Sequence, residues 1–317
     1  FAVYAVNLLD ADTCRRRFDA LARRLRCLRV PGPGELEVQV KSSMNYQAIF
    51  LGQWAEFRSL DAEIWLLTQQ MQVRNNRLLI STCEAPMFLD DWPEAERRIA
   101  DWEAYLQAKS TYDMMHPWID IFRAEVLAAR GELDTAIATL QMVLPGFAAR
   151  RPATAPMAWG ELSIFQARAG DRAAALRTAA HTIQSARAVR HAILRDQALV
   201  HAAVAISLTG DTALASSILA EALETGLEAP NAALAFTALY HLAMLYQADL
   251  PQALNERLNK IAAVCPAMYY GERPLARECC AAQRITVSET EYDRLWATDL
   301  AEIRRLAREV KDVLRSR

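Results

Sequence analysis

Three of the five histidines, His181, His191 and His201, are evenly spaced, which invites a metal-site reading. A ten-residue step turns about 1000° around a helix, so the three do not share one helix face, and a turn is expected between His181 and the other two. His116 precedes Pro117 and His241 follows Tyr240, neither in a ligating pattern. The sequence contains no His-Glu-x-x-His, no Cys/His pairs at zinc spacing and no acidic calcium loop, so no metal is expected. Glycine-rich phosphate loops are missing too, as is Gly-x-Ser-x-Gly, and Ser163 in GELSIF reads as helix interior rather than a strand-to-helix elbow. Asp90-Asp91 and Glu94/Glu96 fall at a turn and a helix start, where carboxylates complement the helix dipole. The expectation is a protein with no catalytic residues and no cofactor, acting by binding.

Charge narrows what it binds. The 317 residues carry 36 Lys+Arg against 38 Asp+Glu, a net charge of -2, so no chain-wide basic field attracts nucleic acid. One local patch stands out. Arg15, Arg16 and Arg17 open a segment in which Phe18, Leu21, Leu25 and Leu28 form an apolar stripe and Arg23, Arg24, Arg26 and Arg29 fill the remaining arc. It reads either as the solvated outer face of a first repeat or as a contact for an acidic neighbouring domain or DNA backbone. Six cysteines without a Cys-x-x-Cys point to reduced thiols and a cytoplasmic protein. No apolar run reaches the roughly 18 residues of a membrane span. The first residues, FAVYAVNLL, read as a helix end, so the segment is expected to belong to a longer polypeptide, with any DNA contact made by a domain outside it.

The elements that position these residues follow from a recurring phrase. Gly131-Glu132-Leu133-Asp134-Thr135-Ala136, Gly170-Asp171-Arg172-Ala173-Ala174-Ala175 and Gly210-Asp211-Thr212-Ala213-Leu214-Ala215 share a glycine, a polar residue and an Ala opening an apolar run. Weaker copies start at Asp10, Gly52, Asp90 and Ala248, so successive copies lie 38 to 42 residues apart. The glycine can take the left-handed conformation that ends one helix, and the polar residue can cap the next. Each phrase is thus a corner between antiparallel helices. Helix stops between units are expected at Pro31-Gly32-Pro33-Gly34, Pro145-Gly146, Pro230 and Pro266. Beyond Met268 a helix is expected over 273–282, then a polar connector and one long helix from about Ser288 to Arg315. Its apolar stripe runs through Leu295, Asp299, Ile303, Leu306, Val310 and Leu314.

With those turns, the chain resembles the tetratricopeptide repeat, matched at Gly131/Ala136, Gly170/Ala175 and Gly210/Ala215. Trp159 and Leu162 are the nearest match to the family's first-helix signature, and the period is near forty against the family's ~34. Longer pairs of this kind are similar to the sensor arms of MalT-like bacterial regulators. The resemblance implies an all-α, right-handed solenoid over residues 1–270, capped by helices over 271–317, in a single curved stack with no sheet and no central catalytic cavity. It also implies a concave wall built from first helices, which picks out Tyr46, Arg77, Glu84, Trp118, Arg123, Glu125, Trp159, Glu161, Gln197, His201 and Tyr240. That wall is expected to hold a protein, a peptide or a small-molecule effector, in a sensor arm of a signalling or transcription regulator that can oligomerise. Two other classes stay open. One is a scaffold without a small ligand; the other is an α/α enzyme, in which Glu125 and Glu161 would face a pocket with perturbed titration.

Overall fold

The computed structural model describes residues 33–71, 76–108 and 112–315, together with residues 16, 20, 23 and 24. Among them all regular structure is helical, as the repeat implies. Six hairpins follow one another: α1 (Pro33–Leu51) with α2 (Trp54–Met71), α3 (Asn76–Phe88) with α4 (Trp92–Gln107), and α5 (Tyr112–Ala129) with α6 (Leu133–Arg150). Then come α7 (Ala155–Arg168) with α8 (Arg172–Arg187), α9 (Ala192–Leu208) with α10 (Thr212–Glu228), and α11 (Ala232–Leu245) with α12 (Gln252–Val264). Three further helices close the described chain: α13 (Arg273–Ala282), α14 (Glu289–Trp296) and α15 (Leu300–Arg315).

The corners lie where the phrase puts them. Gly52, Gly131, Gly170 and Gly210 have φ of 70°, 83°, 84° and 94°, and Asp90 takes the same left-handed region at 65°. At Gly170 the Asp171 amide donates back to the Gln166 carbonyl at 3.0 Å, closing off the end of α7, and the Asp171 carboxylate accepts from the Ala174 amide at 2.9 Å to start α8. Asp91 caps α4 and Asp211 caps α10 in the same way. The Ala248 copy becomes a 3₁₀ turn over Gln247–Asp249, and the Asp10 copy lies outside the described residues.

One expected break moves and one unexpected break appears. Pro145 and Gly146 lie inside α6, which runs on to Arg150, because both are exposed and the carbonyl that loses its donor on the previous turn faces water. The long terminal helix is two helices. Asp299, placed in the apolar stripe by its spacing, instead accepts from the Glu302 amide at 2.9 Å and starts α15 anew. Thr298 just before it is buried and bonds back to the Leu295 carbonyl at 2.8 Å.

First and second helices divide into an inner and an outer row. α9 and α11 are apolar on nearly every side and are buried along most of their length, which makes them inner helices. Along the inner row α1 touches α3, α3 touches α5, α7 touches α9 and α9 touches α11. Between α5 and α7 the side chains of Glu125 and Glu161 meet. The row then returns on itself, because α11 also touches α1. The stack is therefore a closed ring rather than an open arc.

The segment after Pro266 makes that closure. The Trp54 indole N–H, buried at the start of α2, donates to the Thr298 carbonyl at 2.7 Å. Arg273, buried at the start of α13, reaches the Phe88 carbonyl at the end of α3 and the Met268 carbonyl at 3.2 Å, while Arg277 pairs with Asp90. α15 packs on α11, and Lys311 and Arg304 tie it to Glu224 and the Leu227 carbonyl of α10. The terminal helices thus pack on both ends of the described stack.

Gly52 marks the seam. A Cβ there would lie 3.1 Å from the Asp299 Cα and 3.2 Å from the Leu300 N, whereas one at Gly170 would meet nothing within 4 Å. Gly170→Ala is expected to cost only the left-handed backbone strain, about 1 kcal/mol in urea unfolding. Gly52→Ala is expected to cost distinctly more, since backbone on both sides must move; equal losses for the two variants would contradict the seam.

Candidate functional site

Closing six inner helices into a ring leaves a centre that side chains do not fill. A cavity of about 430 Å³ lies there, lined from α1 by Tyr46 and Phe50, from α3 by Glu84 and Phe88, and from α5 by Trp118. Thr154 and Met157 at the start of α7, Gln197 and His201 of α9, and Asn231 and Thr237 at α11 complete much of the wall, with Tyr269 entering from the segment after Pro266. The volume falls in the range of small-molecule sites, and the lining is mainly apolar with a few polar groups. Ring closure thus places a cavity where an open groove was expected.

Carboxylates gather beside it. The Tyr46 hydroxyl donates to Glu84 Oε2 at 3.3 Å. Burial first, then the nearby negative charge of Glu161, pushes the Glu84 carboxyl up to about 8. Glu125 and Glu161 are 3% and 5% exposed and share a hydrogen bond. Burial and then the charge of Glu161 hold the Glu125 carboxyl well above the usual carboxylate range, so Glu125 is the partner that keeps the proton. Glu161 is raised by burial as well, against the opposing pull of His201 and of the Tyr269 hydroxyl, which donates to Glu161 Oε1 at 2.8 Å. The Tyr269 and Tyr270 hydroxyls lie 3.0 Å apart, and the Tyr270 hydroxyl is hydrogen-bonded in turn to Glu125.

Of the residues picked from the concave wall, the structure brings Tyr46, Glu84, Trp118, Gln197 and His201 to the cavity. Trp118 also stacks on Phe122 and meets Phe147 edge-on at 4.9 Å, so it packs as well as lines. Glu125 and Glu161 sit behind the lining, in the hydrogen-bonded cluster just described. Three of the set point elsewhere. Arg123 pairs with Glu103 of α4 at 2.8 Å and Asp120 at 3.0 Å; Trp159 lies edge-on to His181 of α8; and Tyr240 donates to Asn259 of α12 at 3.1 Å. Each of these three faces the outer row. Arg77 belongs to α3, but its side chain lies outside the described residues, as do Arg15 and Arg17; Arg16 is helical and exposed.

Sequence spacing misses Tyr269 and Tyr270, because they lie past the last clear repeat in a segment with no helical period. The available signal was the pair of adjacent tyrosines between Pro266 and Pro274, an apolar pair where a surface connector would be polar. It also misses the reason for Gly160. A Cβ at Gly160 would lie 2.6 Å from the His201 Cβ, so glycine is what lets α7 and α9 approach closely enough to set His201 against Tyr269, ring centroids 4.5 Å apart.

Cys83, Cys265, Cys279 and Cys280 are free thiols, and burial pushes the Cys265 thiol up to about 12. Among the described residues no group of three or more His, Cys, Asp or Glu side chains could hold a metal ion, and no helix is long and apolar enough to cross a membrane. No protein-family model matches the chain, and neither does any curated protein.

The raised carboxyls have a consequence for stability. An acid whose pKa is higher in the folded than in the unfolded state holds extra protons when folded, and that stabilisation is lost as pH rises through the folded value. For Glu84 the window runs from its ordinary 4.5 to about 8, and Glu125 and Glu161 act in the same direction. The melting temperature is therefore expected to fall between pH 5 and pH 8.5, and Glu84→Gln to flatten that fall. A profile that rises over this range, or one unchanged by the substitution, would contradict the assignment.

Proposed function

We propose that this chain is the effector-binding module of a larger regulator, and that it acts by enclosing a small molecule at the centre of the helical ring rather than by catalysis. The observation that carries the reading is the mainly apolar cavity of about 430 Å³, walled by the inner helices and the Tyr269 segment. Such a site favours a compact ligand over an extended peptide, because its volume is that of a small-molecule site and the buried Tyr269 takes up part of the space between the inner helices. The resemblance to MalT-like sensor arms, drawn from helix pairs that repeat about every forty residues, supports a role in bacterial signal transduction, with protein or DNA contacts made by flanking domains.

Binding supplies the mechanism. A ligand touching α1, α3 and α9 at once bridges the two sides of the ring, and so favours the closed form over one in which the seam at Gly52 has parted. The attached regulator reads that shift. A ligand with equal affinity for both forms would move nothing, so the signal depends on contacts made only when the ring is closed.

A second reading takes Glu84 as a general acid, since it lines the cavity and keeps a proton near neutral pH. The two readings part in one experiment. In a thermal-shift screen of metabolites, a sensor is expected to gain about 2.7 kcal/mol, several degrees, at a ligand concentration 100 times Kd, and to return the ligand chemically unchanged. Turnover of the stabilising compound would favour the enzyme, and no stabilisation across a broad panel would favour a scaffold.

A further inference from the structure

Among the described residues lining the central cavity, Glu84 is the only acidic one and none is Lys or Arg; His191, at the start of α9, and His201 are its two imidazoles, and burial pulls the His191 pKa down, toward the neutral form. The groups that face Glu84 add no positive charge: Tyr46 from α1, Glu125 from α5, Glu161 from α7 and Tyr270 from the segment after Pro266. His201 of α9 also lines the cavity, on the side of Glu161. The remainder of the wall is aromatic and aliphatic, with the rings of Tyr46, Phe50, Phe88, Trp118 and Tyr269 around the same space. An anionic ligand would add its charge to carboxyls that already hold protons because of burial and one another. A neutral apolar ligand would leave Glu84 protonated and make no use of its capacity for charge.

We propose that the central cavity is a site for a lipophilic cation, an ammonium group carried on an apolar body, with Glu84 as its counter-charge and the surrounding rings as its cage. This assignment rests on the reading of the cavity as a small-molecule chamber and names the ligand class. The ammonium supplies what the wall lacks, a positive charge within reach of a carboxylate in apolar surroundings, and aromatic faces attract cations most strongly where water is excluded. The apolar body fills the space between α1 and α9. Before binding, the Glu84 carboxyl holds its proton up to about pH 8. The cation binds the ionised form, so binding releases that proton to solvent; no other bond is made or broken.

The test is isothermal titration of the full chain with three molecules of matched shape: 4-phenylbutylamine, 4-phenylbutan-1-ol and 4-phenylbutyrate. The amine is expected to bind at least about tenfold more tightly than the alcohol, with the carboxylate weakest. Its affinity is expected to climb from pH 6 to pH 8, approaching about tenfold per pH unit, as one proton is released per amine bound. Buffers of different ionisation enthalpy read that proton directly. Glu84→Gln is expected to erase the preference for the amine while alcohol binding stays; the wild-type ranking needs no variant and stands as an independent readout. If the alcohol or the carboxylate binds as tightly as the amine, the cation assignment is wrong and the chamber remains. If none of the three binds, both are wrong.

Discussion

The centre of the ring depends on the hydrogen bond from the Tyr269 hydroxyl to Glu161, 2.8 Å long and spanning 108 positions of sequence. Six helices placed side by side in a closed row enclose more space than their side chains fill, and the carboxylates that face inward need donors there. The segment after Pro266 meets both demands. Its two tyrosines occupy part of the space and hydrogen-bond to the carboxyls, Tyr269 to Glu161 and Tyr270 to Glu125, while Arg273 anchors the segment to the end of α3. A run of rings from Trp54 through Phe57 and Phe88 to Tyr270 links the first hairpin to that plug by edge-on contacts. What the plug leaves unfilled is the cavity.

This arrangement ties the cavity to the seam. Phe88 lines the cavity with its side chain, while its carbonyl takes the bond from Arg273. Ala232, at the start of α11, would lie 3.4 Å from a Cβ at Gly52, and Ala233 and Leu234 beside it line the cavity. The residues around the central space are thus neighbours of the groups that join the two ends of the described stack.

The repeat and its corners were legible because a left-handed glycine and a capping aspartate are local devices, decided within a few residues. The inner wall was legible in part, since first helices do face inward. Period alone cannot say which side of such a helix meets the centre and which meets the outer row, so Glu84 and His201 were placed together with Arg123, Trp159 and Tyr240. Ring closure was not legible at all. It rests on Trp54 with Thr298, Arg273 with Phe88, and the fit of Asp299 and Leu300 against Gly52, contacts between distant segments with no periodic signature. The break at Asp299 escaped for a related reason. An aspartate at an apolar position of a helical pattern is also the residue best suited to start a new helix.

Closure is tested most directly by the distance across the seam. Spin labels carried on unnatural amino acids at residues 53 and 301, both exposed, leave the native thiols untouched. Gly52 lies against Asp299 and Leu300, so double electron-electron resonance is expected to give a distance within about 25 Å once label length is added to one or two ~3.8 Å Cα steps on each side. With helices spaced about 8–10 Å apart, an open arc of six hairpins would hold those positions about 40 Å or more from each other. A distance in that longer range would contradict the ring and, with it, the cavity at its centre.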